Sequence, residues 1–308
     1  MELIPLLLLI IICAALLAGY PVALTLGGIS ILFALICIPF GIFDPTIFGS
    51  IPIRIFGIMN NVTLLAVPLF IFMGTILEKS GIAASMLKNM ALAFRSVKGG
   101  LSISIIVVGA LLAASTGIVG ATVVTMGLMS LPILINQGYD KSFSAGLVAS
   151  TGTLGQIIPP SIALVLLGDV MSNAYQRAQN DMGIFSQQTV TVGDLFIGAI
   201  VPGVLICIGY LIYTIYKNQT SPSINDQTVD SKINIISLFK TLALPFLLIF
   251  LVLGSIFAGI ATPTEASAIG AFGALIIALV NGKITFAFIK ESSEKTAIVS
   301  TMIFTILI

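Results

Sequence analysis

Residues 149–161 have the sequence Ala-Ser-Thr-Gly-Thr-Leu-Gly-Gln-Ile-Ile-Pro-Pro-Ser, and they lie inside residues 142–168, an apolar stretch without a charged side chain. Proline has no backbone N–H, so the two prolines leave the carbonyls of Gly155 and Gln156 without their helical donors. Broken backbone within a bilayer is tolerated only where it is buried in protein or lines a cavity. We therefore predict a helix that crosses a membrane and is interrupted near its middle.

The composition of the whole chain agrees with a membrane location. Of the 308 residues, 58% are apolar and 8% are charged, whereas soluble domains carry about 25% charged residues. The 13 basic and 12 acidic residues nearly cancel, so no net field attracts nucleic acid. These values exclude a soluble enzyme, a disordered chain and a nucleic-acid binder. We predict an all-α polytopic membrane protein whose surroundings are the lipid bilayer.

Two absences limit the chemistry. The chain has no histidine, which removes the commonest metal ligand and proton shuttle. Cys13, Cys37 and Cys207 lie singly in apolar stretches, so neither a disulfide framework nor a paired-cysteine metal site is expected. We expect no transition-metal site and no cofactor.

Uncharged stretches long enough to cross a bilayer recur along the chain. We predict crossings at residues 3–18, 22–38, 62–77, 142–168, 195–216, 242–259 and 266–280, and from residue 296 onward. Residues 80–98 form a basic amphipathic arm, and the uncharged residues 99–139 form either two spans or one re-entrant hairpin. Eleven of the 13 basic residues then lie on one face, opposite Arg54 and Arg177. The positive-inside rule makes that face cytoplasmic and the N-terminus periplasmic.

One arrangement of apolar runs and turn residues occurs twice in the sequence. Residues 11–36 consist of an apolar run, Ala18-Gly19, a proline and a helix of small residues, and residues 247–280 repeat it with Ala258-Gly259. An odd number of crossings separates the copies, so the second is inverted, as in many secondary transporters.

The repeat divides the chain into three parts. Residues 1–216 form the first repeat, with scaffold helices at residues 3–38 and 62–77, and residues 217–240 form a cytoplasmic linker. Residues 241–308 begin a second repeat that is incomplete, because the sequence stops inside an apolar run. We expect the chain to be a C-terminally truncated fragment.

Two clusters of small polar residues lie inside apolar segments, at residues 114–122 and 149–161, and both contain Ala-Ser-Thr-Gly. Hydroxyls and freed carbonyls are hard neutral ligands for an alkali cation, and a helix beginning near Ser161 offers N–H groups to an anion. The alternative is that small residues only let helices pack closely. The candidate sodium and substrate residues are Ser115, Thr116, Gly117, Gly120, Thr122, Ser150, Thr151, Gly152, Thr153, Gly155, Pro159, Pro160 and Ser161.

Two polar segments have structural interpretations. Thr262, Pro263 and Glu265 stand at the N-cap, N1 and N3 positions of a capping box, which explains this carboxylate better than a transport role does. Residues 169–194 predict a solvated outer loop, or else a docking surface for an external partner.

Several motifs together resemble the large membrane subunit of tripartite ATP-independent periplasmic (TRAP) transporters. They are residues 155–161 (Gly-Gln-Ile-Ile-Pro-Pro-Ser), 192–199 (Val-Gly-Asp-Leu-Phe-Ile-Gly-Ala), 202–203 (Pro-Gly), 66–70 (Ala-Val-Pro-Leu-Phe) and 262–265 (Thr-Pro-Thr-Glu). Their order and spacing also match, and the resemblance extends over essentially the whole chain.

The resemblance implies an inverted-repeat, elevator-type secondary transporter in a bacterial or archaeal inner membrane, which imports an organic acid with sodium as the coupling ion. It also implies two partners, a small membrane subunit and a periplasmic substrate-binding protein. By the same resemblance, residues 99–139 are a re-entrant hairpin, and its tip and residues 150–153 surround sodium and substrate. The family's second hairpin and second Pro-Pro motif have no counterpart in this sequence.

Other functions are weaker alternatives. A stand-alone sodium-coupled carrier of the same fold would need no binding protein. An intramembrane enzyme would need paired acids, a histidine-based metal site or a Ser–His pair, and the chain has no histidine. A passive channel would not require repeats and broken helices, which favour alternating access.

Overall fold

The computed structural model describes residues 3–94, 97–117, 119–184, 186, 188–217 and 235–308. These residues form helices and connecting turns, with no strand among them. The α-helices are α1 (Leu3–Leu17), α2 (Val22–Cys37), α3 (Ile51–Met59), α4 (Ala66–Lys79), α5 (Ile82–Ala93), α6 (Gly100–Thr116), α7 (Val119–Asn136), α8 (Lys141–Thr153), α9 (Ile162–Asp181), α10 (Val192–Lys217), α11 (Ile235–Phe257), α12 (Pro263–Val280) and α13 (Phe286–Leu307). Short 3-10 helices cover Pro45–Ser50, Val62–Leu65 and Leu154–Gln156.

The chain divides into two compact units, of which the first comprises residues 1–61 and 297–308. Within it α1 packs against α2. Gly19, with φ at +86°, forms the turn between them, a backbone conformation that glycine adopts without steric cost. This unit also contains α3 and the 3-10 helix before it, which Asp44 caps by accepting a hydrogen bond from the Thr46 N–H over 2.9 Å. Neither element is among the predicted helices.

The second unit, residues 62–296, is built around α4, which packs against α6 and α12. Phe70, Ile71, Met73 and Ile76 of α4 are buried. A methyl group on Gly270 of α12 would lie 2.6 Å from the sulfur of Met73, so the two helices approach closely at this glycine. The predicted grouping of residues 62–77 with the scaffold residues 3–38 does not match this division, because α4 forms the core of the other unit.

Polar contacts join the two ends of α4 to distant parts of the chain. Before its first residue, the Thr264 hydroxyl donates to the carbonyl of Val62 over 3.0 Å. At its last turn, Glu78 pairs with Lys295 over 2.9 Å and Lys79 pairs with Glu291 over 3.0 Å. The C-terminal end of α4 and the first half of α13 therefore lie side by side.

The predicted amphipathic arm is helical over Ile82–Ala93. Its buried side chains recur every three to four residues, which is the spacing of one helix face; they are Ile82, Ala83, Met86, Leu87 and Met90. This face packs against α6 and α11.

Two predicted boundaries are wrong. Residues 169–181, predicted as part of an outer loop, continue α9 as far as Asp181. The Gln179 side chain then holds the returning chain, since its amide donates to the Gln188 carbonyl and accepts from the Gln188 N–H, both over 2.8 Å. The predicted linker at residues 217–240 is shorter at its end, because α11 begins at Ile235; residues 218–234 lie outside the described ranges.

Among the described residues, three helical stretches are long and apolar enough to cross a membrane by length and composition: Val62–Lys79, Val192–Lys217 and Pro263–Val280. Further apolar helical stretches, including Ile4–Leu17, Val22–Cys37 and Leu242–Phe257, are shorter. The plan of the first two helices recurs locally in α11 and α12, which Gly259 joins with φ at +68°.

Candidate functional site

The predicted interruption lies between α8 and α9. After Thr153 the chain forms one 3-10 turn over residues 154–156 and resumes as a helix at Ile162. Ser161 caps α9, since its hydroxyl oxygen accepts from the Leu164 N–H over 3.4 Å. The same hydroxyl donates to the Gln156 carbonyl over 2.9 Å. The prediction that the Gln156 carbonyl stays free is therefore wrong, because Ser161 replaces the donor that proline lacks.

The helical hairpin predicted as one of two alternatives is made by α6 and α7, which pack against each other. The helices have 17 and 18 residues, whereas a full span needs about 20. Gly117, with φ at +60°, stands between them. Helices of these lengths are compatible with either alternative, because Val62–Lys79 and Pro263–Val280, with 18 residues each, are long enough to span a membrane.

The tip of this hairpin contacts the helix break. The Gln156 side-chain amide donates to the carbonyl of Gly117 over 3.3 Å. A methyl group on Gly117 would lie 3.1 Å from Cγ1 of Ile162 and 3.5 Å from its backbone nitrogen. The fold thus brings together the two clusters that the sequence singles out.

Close packing holds α8 against both helices of the hairpin. A methyl group on Gly109 of α6 would lie 2.9 Å from Cβ of Thr151, and one on Gly152 would lie 3.0 Å from Cα of Val123 in α7. No side chain fits at either glycine unless a neighbour moves. The packing interpretation therefore accounts for Gly152 and for one face of Thr151.

The hydroxyl groups of α8 donate to its own backbone. Ser150 donates to the Leu147 carbonyl over 3.1 Å, Thr151 to the same carbonyl over 2.8 Å, and Thr153 to the Ser150 carbonyl over 2.7 Å. A hydroxyl has one hydrogen and two lone pairs. Once its hydrogen is used in this way, the oxygen presents lone pairs, as a cation requires.

The other predicted residues differ in their surroundings. Gly155, Pro159, Pro160 and Ser161 are buried at the break, whereas Gly120 is exposed and a methyl group there would meet open space. Thr122 is buried and lines a small separate cavity with Glu78 and Thr125. The side chains of Ser115 and Thr116 lie outside the described part of the structure, although both residues belong to α6.

Helix ends provide the electrostatics of this region, since residues 114–122 and 149–161 contain no ionisable side chain. The C-terminal ends of α6 and α8 carry partial negative charge, and the N-terminal ends of α7 and α9 carry partial positive charge. The described residues include no group of three or more His, Cys, Asp or Glu that could hold a metal ion.

A family model described as "Tripartite ATP-independent periplasmic transporter, DctM component" matches residues 9–308. The chain belongs to this family. It is 30% identical over 274 residues to a C4-dicarboxylate TRAP transporter large permease protein of Rhodobacter capsulatus, covering 87% of this chain and 59% of that protein. It is 32% identical over 273 residues to the corresponding protein of Vibrio cholerae, covering 88% and 55%.

A third relative is named for isethionate rather than for C4-dicarboxylate. An isethionate TRAP transporter permease protein of Oleidesulfovibrio alaskensis is 31% identical over 238 residues, which cover 74% of this chain and 34% of that protein. The chain thus spans little more than half the length of its C4-dicarboxylate relatives. The chain thus belongs to a family of membrane transport proteins.

The Thr-Pro-Thr-Glu motif of this DctM chain caps α12. The Thr262 hydroxyl oxygen accepts from the Glu265 N–H over 3.3 Å, and the Glu265 carboxylate accepts from the Thr262 N–H over 2.8 Å. This reciprocal pair is the capping box that the sequence predicts. Its carboxylate is thereby engaged at the helix end.

Three residues that hold the hairpin against α8 and the break are not among the predicted site residues. They are Gly109, Ile162 and the side chain of Gln156, which is the only side-chain amide in residues 142–168. A lone amide beside the two prolines is a signal that could have identified Gln156. Gly109 has no comparable signal, since glycines are frequent in membrane helices.

Proposed function

We propose that this chain is part of a large TRAP subunit that imports a small organic acid together with sodium ions across the inner membrane. A periplasmic binding protein delivers the substrate, and a small membrane subunit works beside it. The observation that carries this proposal is the contact of the hairpin tip at Gly117 with the helix break at Gln156 and Ile162. Transporters bind their substrates and coupling ions at broken helices of this kind.

Sodium would bind near the C-terminal ends of α6 and α8. The hydroxyl oxygens of Ser150, Thr151 and Thr153 support this assignment, because their hydrogens point to backbone carbonyls. Neutral oxygens and the negative ends of helix dipoles attract a cation without a buried carboxylate. Ser115 and Thr116 at the hairpin tip complete the proposed set of ligands.

The organic acid would bind near the N-terminal ends of α7 and α9. Helix N-termini bind anions through their N–H groups and their positive dipole ends. The names of the relatives, which refer to C4-dicarboxylate and isethionate, support a small organic anion. We propose that the N–H groups beside Ser161 and Gly120 face the acidic group.

The transport cycle would use inverted repeats and an elevator-type movement. The recurring plan of a helix, a positive-φ glycine, a proline and a helix, at Gly19 and again at Gly259, supports a first repeat in residues 1–216 and a second beginning at residue 241. Because α4 packs against the hairpin helix α6, we assign α4 to the part of the protein that moves during transport. The N-terminus would be periplasmic.

The decisive experiment is uptake of labelled C4-dicarboxylates, isethionate and other organic acids by cells that carry the complete gene. Each acid is tested with and without a sodium gradient, and with and without the candidate binding protein and small subunit. Uptake that needs both sodium and the binding protein is the expected result.

Two results would contradict parts of the proposal. Sodium-dependent uptake without the binding protein would make the protein a stand-alone carrier and remove the partner assignment. Uptake that follows a proton gradient and ignores sodium would overturn the assignment of the hydroxyl cluster. A variant of Thr305 in α13 can serve as a control for variants of the hydroxyl cluster. The Thr305 hydroxyl also donates to its own helix, at the Thr301 carbonyl over 2.6 Å.

A further inference from the structure

A cleft lies between α8 and α10, and the last α8 residue that lines it is Ser150, which is also a proposed sodium ligand. Its volume is about 450 Å³, within the range of small-ligand sites. One wall is α8 from Ser142 to Ser150, and the other is the C-terminal end of α10 from Tyr210 to Lys217. Both helices belong to the second unit.

The charges of the cleft lie at one end. Asp140 immediately precedes α8 and Lys217 is the last residue of α10, and both line the cleft. Asp140 is held in place because its carboxylate accepts from the Phe143 N–H over 2.9 Å. Further along α8 the lining becomes apolar, with Phe143 and Leu147. At a rise of about 1.5 Å per residue, Leu147 lies roughly 10 Å from the charged end.

Aromatic rings join the two walls near the charges. The ring centroids of Phe143 on α8 and Tyr213 on α10 are 6.3 Å apart, and Tyr139 stacks on Phe143 at 6.2 Å. Tyrosines concentrate at the level of lipid headgroups, where one end of the ring is apolar and the other is polar. The cleft therefore resembles one bilayer leaflet in polarity, with charges at the surface and an interior that is apolar except for Ser150, whose hydroxyl donates to the Leu147 carbonyl.

Thr214 places a buried hydroxyl, unpartnered within the described ranges, in the α10 wall of the cleft. Its side chain is fully buried and lines the cleft, and its hydroxyl has no hydrogen-bond partner among the described residues. Buried hydroxyl groups are normally paired, because leaving one unpaired is costly. The hydroxyl is not exposed to the cleft in this structure, so its side chain would have to move before an oxygen atom of a bound molecule could accept from it.

We propose that the cleft binds one zwitterionic aminophospholipid, such as phosphatidylethanolamine. The phosphate would lie at the Lys217 ammonium and the lipid ammonium at the Asp140 carboxylate, with an ester oxygen near the Thr214 hydroxyl and an acyl chain along Phe143 and Leu147. A lysine ammonium has three donor hydrogens, so Lys217 can bind the phosphate in addition to other acceptors. An anionic lipid fits less well, because Asp140 stands at the same opening.

The first test measures lipid retained by the purified protein. The chain is reconstituted with equal amounts of phosphatidylethanolamine and phosphatidylglycerol, extracted in mild detergent, and its bound lipids are quantified by native mass spectrometry. We expect at least fivefold more phosphatidylethanolamine than phosphatidylglycerol. Equal retention of the two lipids, or a preference for phosphatidylglycerol, would overturn the proposal.

Two glycine variants test the position of the lipid. Gly146 lines the cleft, and a methyl group there meets open space, so Gly146→Leu should fill the cleft and reduce retained lipid at least fivefold. Gly198→Leu on α10 is the matched control, because Gly198 also faces open space but does not line the cleft. Equal retention by the two variants would contradict the assignment.

A charge variant tests the headgroup without altering the fold. Asparagine caps helices as well as aspartate does, so Asp140→Asn keeps the α8 cap and removes the charge. We expect the preference for phosphatidylethanolamine to fall toward unity, while Lys217→Gln reduces retention of both lipids. An unchanged preference in Asp140→Asn, or displacement of the lipid by a transported organic acid, would show that the cleft serves another ligand. This proposal requires only a membrane protein and stands even if the transport proposal fails.

Discussion

Gln156 Nε2 lies 3.3 Å from the carbonyl oxygen of Gly117 and donates a hydrogen bond to it. The bond joins the tip of the α6–α7 hairpin to the break between α8 and α9, two places 39 residues apart in sequence. The proposed sodium and substrate groups lie on both sides of this bond. Any movement of the hairpin tip away from the break would have to release it.

Shortening Gln156 should therefore weaken transport. Gln156→Asn keeps the amide but removes the methylene that lets it reach Gly117, and a lost neutral hydrogen bond costs about 0.5–1.5 kcal/mol. We expect sodium-dependent uptake to fall roughly three- to tenfold, with little change in the amount of folded protein. Gln188→Asn is a useful control because Gln188 bonds to Gln179 through its backbone. Normal uptake by Gln156→Asn would contradict a role for this bond.

Gly117 is expected to tolerate no side chain. Its φ of +60° costs an alanine about 1–2 kcal/mol, and the added methyl group would lie 3.1 Å from Cγ1 of Ile162. Gly138→Ala isolates the backbone effect, since Gly138 has φ at +81° and open space around it. Both variants should lower the melting temperature, but only Gly117→Ala should reduce uptake strongly. If the two variants lost uptake equally, general destabilisation would explain the effect of Gly117→Ala.

Local features of the fold follow from short sequence patterns. The interruption before Ile162 follows from prolines that cannot donate hydrogen bonds, and the start of α12 follows from the side chains of Thr262 and Glu265. In each case the decisive interaction lies within about one helical turn. Such patterns determine local structure regardless of what packs around them.

Contacts between distant residues could not be predicted in this way. The approach of Gly109 to Thr151 depends on how α6 and α8 pack, and neither residue differs from other small residues of the chain. The charges of Asp169 and Arg177 predict a loop where the structure continues α9. Charge indicates solvent rather than a loop, and helices can extend beyond the bilayer.

The hydroxyl of Thr151 tests the proposed sodium site. Thr151→Val has nearly the same shape, so it keeps the contact with Gly109 but removes the oxygen. We expect the sodium concentration that gives half-maximal uptake to rise roughly fivefold, equivalent to about 1 kcal/mol, while Thr305→Val leaves it unchanged. A bulky residue is a poorer test, because Thr151 is fully buried and its replacement would disturb packing. An unaltered sodium dependence would remove Thr151 from the proposed ligands.

The Glu78 carboxylate joins three helices at the last turn of α4. It accepts from the Thr125 hydroxyl of α7 over 2.7 Å and from the Lys295 ammonium of α13 over 2.9 Å. The Glu78 side chain is only 17% exposed, so Glu78→Gln should lower the free energy of unfolding by about 1–2 kcal/mol, toward the lower end for bonds to charged groups because Lys295 is partly solvated.

The neighbouring ion pairs provide a graded comparison for that variant. Glu291→Gln breaks a pair whose carboxylate is 65% exposed, and exposed pairs contribute about 0–1 kcal/mol. Glu294→Gln breaks a 3.9 Å pair that is more than half exposed on both sides, so it should have no measurable effect. Melting temperatures in detergent should therefore fall in the order Glu294→Gln, Glu291→Gln, Glu78→Gln, with the last variant the least stable.

High salt should erase the effect of Glu291→Gln but not that of Glu78→Gln, because buried charges are screened less than exposed ones. Equal melting temperatures for the three variants would mean that the Glu78 pair does not hold the hairpin to α13.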